Sequence, residues 1–281
     1  MQLFDLHLGR PLHRAALTVF PIWNGHAVTA RGYDVHSDHV LVDERAGSAV
    51  VAELVLTNTG RRPALVLEGE LLEGGQQHRV AARSMLVAPG TPQVLDVRCV
   101  EEGRWSGNSR HTRAGRRAPI SVRAAQGQGE TWERVHQFEN RYAASATGSL
   151  LEATGDASQA AAQLVRDVGP LPYQTGALFC LAGQPLHLEA FDSPRTLAAV
   201  WGSLLNAAAL DALHLQPVAT PGRRARRFLD HLSAVRVTGC DGGAAAGLEG
   251  HTAYARLSAL VWRNRAVQTV AINPRHELVA G

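Results

Sequence analysis

Between Ala49 and Gly103 the chain reads AVVAELVLTNTG, PALVLEGELLEGG, QQHRVAARSMLVAPG and TPQVLDVRCVEEG. Each block alternates apolar and polar residues and ends in glycine or an Asn/Glu-Gly turn signal. Turns recur at roughly the 8–12 residue spacing of a sandwich or meander. A chain punctuated this way cannot run helices through the region, because a 3.6-residue period is absent. The pattern predicts an antiparallel, β-rich N-terminal half.

The remainder has another texture. GETWERVHQFENRYAAS places Trp132, Val135 and Tyr142 near one face of a predicted helix, and ASQAAAQLVRDV reads as a second helix. TGALFCLAGQPLHLEAF reads as a hairpin turning at Ala182-Gly183. Ser193-Pro194 then opens a long helix, with Ser suited to the N-cap and Pro to the first turn. RRARRFLDHLSAV is a shorter helix, and VRVTGC, TAYARLSALVW and AVQTVAIN finish as strands. Strands and helices are grouped rather than alternating, so the expected class is α+β and not a doubly wound sheet. The Ala/Ser/Thr/Gly-rich segment 145–160 suggests a boundary, giving a β-rich domain over 1–145 and an α+β domain over 146–281.

Composition removes several chemistries. Among 281 residues there is no lysine; all 28 basic residues apart from histidine are arginines. Schiff-base chemistry, a lysine general base and a P-loop lysine are therefore excluded, since arginine stays charged and offers a planar donor fork. Cys99, Cys180 and Cys240 lie far apart in apolar runs, which reads as free buried thiols rather than a disulfide framework or zinc site. No HExxH, no GxSxG and no strand–GxGxxG–helix order occurs, and GCDGGAAAG lacks the context of a phosphate loop. No apolar run reaches the ~20 residues of a membrane span. Asp5 and His7 interrupt the opening where a signal peptide needs an apolar core. A cytoplasmic protein is expected.

The polar residues that stand out cluster in residues 67–105. Read as one strand, LVLEGELL would turn Leu65, Leu67 and Leu71 one way and Glu68 and Glu70 the other. Gly74-Gly75 permits a positive-φ turn, after which Gln77 and Arg79 share a face with His78 opposite. Glu70 and Glu73 are the candidate catalytic carboxylates; Gln77, His78, Arg79, Glu101, Arg104 and Trp105 are the candidate ligand-binding set; no metal ligands are assigned. The plainer reading is a cross-strand Glu–Arg pair and a core tryptophan. Residues 103–129 carry Arg104, Arg110, Arg113, Arg116, Arg117 and Arg123 without an acid, and read as a long arginine-rich loop. Arginine forks match phosphate and carboxylate oxygens, so this loop beside an aromatic residue would suit a nucleotide-like ligand. RRARR at 223–227 reads first as a solvated helix face and second as a contact for RNA or an acidic partner.

LEGELLEGGQQHRV, CVEEGRW and FDSPRTLAAVWGSLLNAAALDAL together resemble the family of ARG and rhodanese-phosphatase-superfamily-associated proteins, ARG denoting ADP-ribosylglycohydrolase. The resemblance runs from about residue 21 to the C-terminal strands. Its hairpin pattern falls on Glu73, Gly75, Gln77, His78 and Arg79, with His78 in place of an asparagine; Gln268 stands where a histidine is expected. The resemblance implies an α/β-containing domain associated with ADP-ribose processing, and ADP-ribose or another NAD-derived metabolite as ligand, with a protein partner in that metabolism. It implies no named cofactor. Hydrolysis of a glycosidic or phosphoester bond is the reaction class it leaves open. The rival expectation is a non-catalytic interaction module gripping an acidic protein or RNA through the arginine loop. Self-association is a third, with no symmetry specified.

Overall fold

The structure, a computed structural model, describes residues 5–47 and 50–280. Residues 1–4, Ser48, Ala49 and Gly281 lie outside the described residues, and with them the start of the β texture expected from Ala49. The chain enters through β1 (Leu6–Leu8), β2 (Leu12–Arg14) and β3 (Leu17–Asn24). It continues through β4 (Asp34–Val35), β5 (Val40–Asp43), β6 (Glu53–Asn58), β7 (Ala64–Val66), β8 (Glu70–Gly74), β9 (Arg79–Ala81), β10 (Met85–Val87), β11 (Gln93–Cys99) and β12 (Arg110–Arg117). Helices α1 (Ile120–Arg123), α2 (Gln128–Arg141), α3 (Leu150–Ala153) and α4 (Gly155–Val165) follow. The last stretch is β13 (Gly176–Leu181), β14 (Gln184–Phe191), α5 (Pro194–Ala212), α6 (Gly222–Leu232), β15 (Thr238–Gly242), β16 (Ala245–His251), β17 (Arg256–Trp262), β18 (Arg265–Ile272) and α7 (Glu277–Ala280). The fold is α+β, as the grouping of the elements predicts.

Two compact units form, one of residues 32–163 and one of residues 1–31 with 164–281. This grouping differs from a cut at 145/146. The reason is β3, a strand whose first six residues are buried and which pairs antiparallel with β13 from Ile22↔Gly176 to Leu17↔Leu181. The segment 145–160 is largely helical, as α3 and α4, rather than a linker.

The unit of residues 32–163 is built on a closed barrel in the order β11-β6-β5-β12-β8-β9, accompanied by the small sheet β10-β7-β4. Alternation sorts its side chains. Val40, Val42, Leu54, Leu56, Leu72, Ala81, Leu95 and Val97 belong to the inner core. Their neighbours Leu71 and Val80 face outward, where Val122, Val135, Phe138 and Leu150 of the helical segments cover them. The barrel closes because β12 bridges β5 and β8. The stretch expected as an arginine-rich loop is therefore a barrel strand followed by a short helix over much of its length. RHTRAGRR alternates in burial but not in polarity, since arginines stand on both faces, Arg110 and Arg116 exposed and Arg113 and Arg117 more buried, which hides the strand from an apolar count.

The other unit is a large antiparallel sheet in the order β1-β3-β13-β14-β18-β17-β16-β15, with β2 also on β3. The expected hairpin is β13–β14, and Ala182 and Gly183 both take positive φ at its turn. Ser193 caps α5, its Oγ accepting from Arg195 N at 3.3 Å, with Pro194 in the first turn. Phe20, Leu178, Leu188 and Ala271 of the sheet pack against Ala225, Phe228 and Leu232 of α6. Phe179, one residue on from Leu178, meets Trp201 of α5, so a helix covers each face of the sheet centre. No helix among the described residues is long and apolar enough to cross a membrane.

Candidate functional site

LVLEGELL does not form one strand. Gly69 takes φ +78° between β7 and β8, and a Cβ there would overlap the Arg123 side chain. Glu68 and Glu70 thus leave the common face that strict alternation gives them. Glu70 shares the inward parity of Leu72 and is only 2% exposed. Its carboxylate accepts from Arg113 Nε at 2.8 Å and Nη2 at 3.1 Å. Glu73 meets Arg116, with Nε to Oε1 at 2.8 Å and Nη2 to Oε2 at 2.7 Å, nearer solvent. The cross-strand Glu–Arg pairing foreseen for the hairpin therefore exists, but it runs to β12 and not to Arg79.

The other arginines of residues 103–129 are engaged as well. Arg110 meets Asp43 at 3.1 Å, and Arg104 Nη2 donates to Glu101 Oε2 at 2.6 Å. Arg117 donates to the Glu68 carbonyl, and Arg123 lies 3.9 Å from the Glu68 carboxylate. A polyanion gripped by free arginines is the picture that the interaction reading needs; each of the six is already committed to an acid or a carbonyl.

Arg79 is different. It pairs with Leu72 on β8 and Cys99 on β11, both inward positions, so its side chain enters one end of the barrel. Among the described residues it is the largest fully buried side chain. Nη1 donates to Gln77 Oε1 at 2.9 Å, while Nε and Nη2 make no hydrogen bond to any described residue. Burial lowers the guanidinium pKa, opposed by the nearby Cys99, Glu44 and Glu101. The Trp105 ring lies over it, 5.7 Å from centroid to Cζ, and is itself 52% exposed. Trp105 is thus a cover with one wet face rather than the core residue of the plainer reading.

A frame of hydrogen bonds holds this end of the barrel. Glu101 Oε2 also accepts from His78 N at 2.9 Å, and Glu101 Oε1 accepts from Thr147 Oγ1 at 2.9 Å. Burial pushes the Glu101 carboxyl up, but Arg104, the His78 amide and Thr147 outweigh it, and its pKa ends below the ordinary value. Gln77 Nε2 donates to the Glu101 carbonyl at 2.9 Å. His78 Nδ1 accepts from Gly74 N at 2.9 Å, which orients the ring, and burial lowers its pKa. Gly74 and Gly75 take φ of +96° and +58°, as the turn requires, and a side chain at Gly75 would overlap His111.

Sequence reasoning brought Gln77, His78, Arg79, Glu101, Arg104 and Trp105 together, and the structure places all six at this one end. It missed Glu44, Cys99, His111 and Thr147. Glu44 Oε1 meets His111 Nε2 at 3.1 Å and accepts from Gln76 N at 3.2 Å; both Glu44 and His111 are buried. Burial lowers the His111 pKa against the pull of Glu44. The available signal was alternation: Val40, Val42 and Glu44 share a parity, as do His111 and Arg113. A second buried polar set, also missed, lies in the other unit, where Glu189 takes His187 Nε2 at 3.1 Å and Gln268 Nε2 at 2.6 Å. Among the described residues no three His, Cys, Asp or Glu side chains are grouped so as to hold a metal ion.

Residues 5–272 match the ARG and Rhodanese-Phosphatase-superfamily-associated Protein domain. Comparison with curated proteins and with solved structures yields no match. The match covers nearly the whole described chain, including the glycine hairpin, the Glu101–Trp105 segment and the sheet of the second unit. The chain therefore belongs to the family of ARG and rhodanese-phosphatase-superfamily-associated proteins.

Proposed function

We propose that the barrel end beneath Trp105 binds the phosphate-bearing part of ADP-ribose or a related NAD-derived metabolite, and that the protein processes or senses it in the cytoplasm. The observation that carries this is the buried Arg79 guanidinium with two nitrogens, Nε and Nη2, lacking a protein acceptor. Leaving a buried charged donor unsatisfied costs about 1–3 kcal/mol or more. An anionic oxygen seated there recovers that cost and gains a charge-assisted bond. Arg79 is fully buried, so the ligand enters by displacing Trp105, whose indole then offers a face to its ring. Gln77, His78, Glu101 and Arg104 frame the opening. The family's name, which joins it to ADP-ribosylglycohydrolases, supports the choice of ligand by association.

Of the two carboxylates proposed for chemistry, Glu73 is the more accessible, its pairing with Arg116 being partly solvated, whereas the Glu70 side chain is 3% exposed. Glu70 serves to hold Arg113 inside the barrel. If the bound metabolite is hydrolysed, Glu73 is the proposed base for the attacking water. A thermal-shift panel of ADP-ribose, NAD and ribose phosphates tests the reading. A ligand at ~100 times its dissociation constant stabilises its unit by about 2.7 kcal/mol. Stabilisation in wild type that disappears in Arg79→Ala and in Trp105→Ala supports the site. No response to any of these compounds contradicts it.

A further inference from the structure

The geometry points to a second anion site, in the unit of residues 1–31 and 164–281: we infer that a cleft beside α6 binds the phosphomonoester or pyrophosphate group of a small molecule. Helix α6 buries Ala225, Phe228 and Leu232 against the sheet. The stripe one residue before that face, Arg224, Arg227 and His231, borders a cleft of about 390 Å³, whose far side carries Arg275 from the segment after β18. That volume lies within the range of small-molecule sites, roughly 300–1,000 Å³.

The basic groups there are positioned and unneutralised. Arg224 Nη1 donates to the Gly183 carbonyl at 2.6 Å, which anchors it on the β13–β14 turn. Tyr254 stacks on His231 at 4.5 Å between centroids and receives the Arg275 guanidinium at 5.1 Å, so one ring orients two of the donors. No lining residue is acidic. Arg224, Arg227 and Arg275 have no carboxylate within ion-pair reach among the described residues, in contrast to Arg104, Arg110, Arg113 and Arg116 of the barrel unit. Three guanidiniums repel one another across a small cleft, and a chain with 25 acidic residues had acids available to quench them. Their convergence is accounted for by an anion that brings several oxygens at once, the match that the arginine fork makes best. Gln184 adds an exposed amide for a ligand hydroxyl.

A small ligand is favoured over RNA because Arg223 and Arg226, the other arginines of the RRARR run, do not line the cleft. A phosphate chain tracking a basic helix would draw on all four. The test is calorimetric titration of the full chain with pyrophosphate, ADP and ADP-ribose at fixed salt. At least one of these is expected to bind wild type, to weaken at least tenfold in the double variant Arg227→Ala/Arg275→Ala, and to change less than twofold in Arg223→Ala/Arg226→Ala. Both pairs are exposed, so both variants are expected to fold. Trp105→Ala removes the barrel site alone; the binding that remains in this variant is expected to be the step that Arg227→Ala/Arg275→Ala weakens, with a dissociation constant within twofold of the wild-type value for that step. The inference is overturned if wild type binds none of the three, if Arg227→Ala/Arg275→Ala binds as wild type does, or if both double variants lose binding equally, the mark of a diffuse basic surface. Binding abolished by Trp105→Ala but not by Arg227→Ala/Arg275→Ala would overturn this site while sustaining the barrel site.

Discussion

The Glu70–Arg113 pair offers a sharp test of how the barrel is held. Their side chains are 3% and 8% exposed, and two N–H···O contacts join them. Glu70 Oε2 also accepts from Leu67 N at 3.3 Å, and Arg113 Nη2 reaches the Leu65 carbonyl at 3.3 Å, so the pair ties β7, β8 and β12 together. Replacing Glu70 by Gln leaves the guanidinium buried without its counter-charge. Breaking such a pair costs about 3–5 kcal/mol, because desolvation is no longer offset. Arg113→Met strands the carboxylate and is expected to cost about as much. Removing both charges together, in Glu70→Leu/Arg113→Met, eliminates the desolvation on both sides and is expected to fall within about 2 kcal/mol of wild type. The assay is urea unfolding by far-ultraviolet circular dichroism, with amide hydrogen exchange of β8 and β12 peptides to localise the loss. For a unit of this size a loss of about 3 kcal/mol lowers the melting temperature by roughly 10 °C. Single variants that each cost under about 1 kcal/mol would show the pair behaving as a surface bridge. A double variant as unstable as the two singles combined would also refute the reasoning.

Two further outcomes follow from the buried titratable groups. Burial depresses the pKa of His78, His111 and His276 below 6.5, so the unfolded chain takes up protons that the folded chain refuses as pH falls below that value. Glu101, held below its ordinary 4.5, contributes stability that is present above 4.5 and lost as pH falls through its folded pKa. The urea midpoint is thus expected to decline from pH 6.5 downward and again below 4.5; a flat profile between pH 7 and 5 contradicts the histidine assignment. Cys99 and Cys180 are buried, with thiol pKa values raised chiefly by burial, whereas Cys240 is half-exposed. A thiol reagent on native protein is expected to label Cys240 alone; labelling of Cys180 without denaturant would contradict the packing of β13.

The α+β class and the β13–β14–α5–α6 succession were legible because each rests on local signals: alternation, the Ala182-Gly183 turn, the Ser193 cap. The hairpin site was legible for the same reason, since Gly74-Gly75 fixes where Gln77, His78 and Arg79 lie. What was not legible depends on partners distant in sequence. Strand β12 is polar at nearly every position, and only its pairing with β5 and β8 makes it a strand rather than a loop. The pairing of β3 with β13 joins residues far apart along the chain, and no composition shift near residue 145 reports it. Strict alternation puts Glu68 and Glu70 on one face only if Gly69 lies within a strand; its positive φ makes it a corner. Glu44 and His111 escaped notice because a lone acid at a strand end and a lone histidine in an arginine run look like solvated residues. Their burial follows from barrel closure.

The central claim, that an anionic metabolite sits on Arg79 beneath Trp105, is tested most directly by nitrogen-15 NMR of the Arg79 Nε–H and the Trp105 indole N–H during titration with ADP-ribose. Both signals can be assigned by their loss in Arg79→Gln and Trp105→Phe. The account predicts that the two move together and saturate at one midpoint, the Arg79 signal through a new hydrogen bond and the Trp105 signal through displacement of its ring. Two signals that stay in place through millimolar ADP-ribose would contradict it, even if resonances of Arg227 or Arg275 in the second cleft respond.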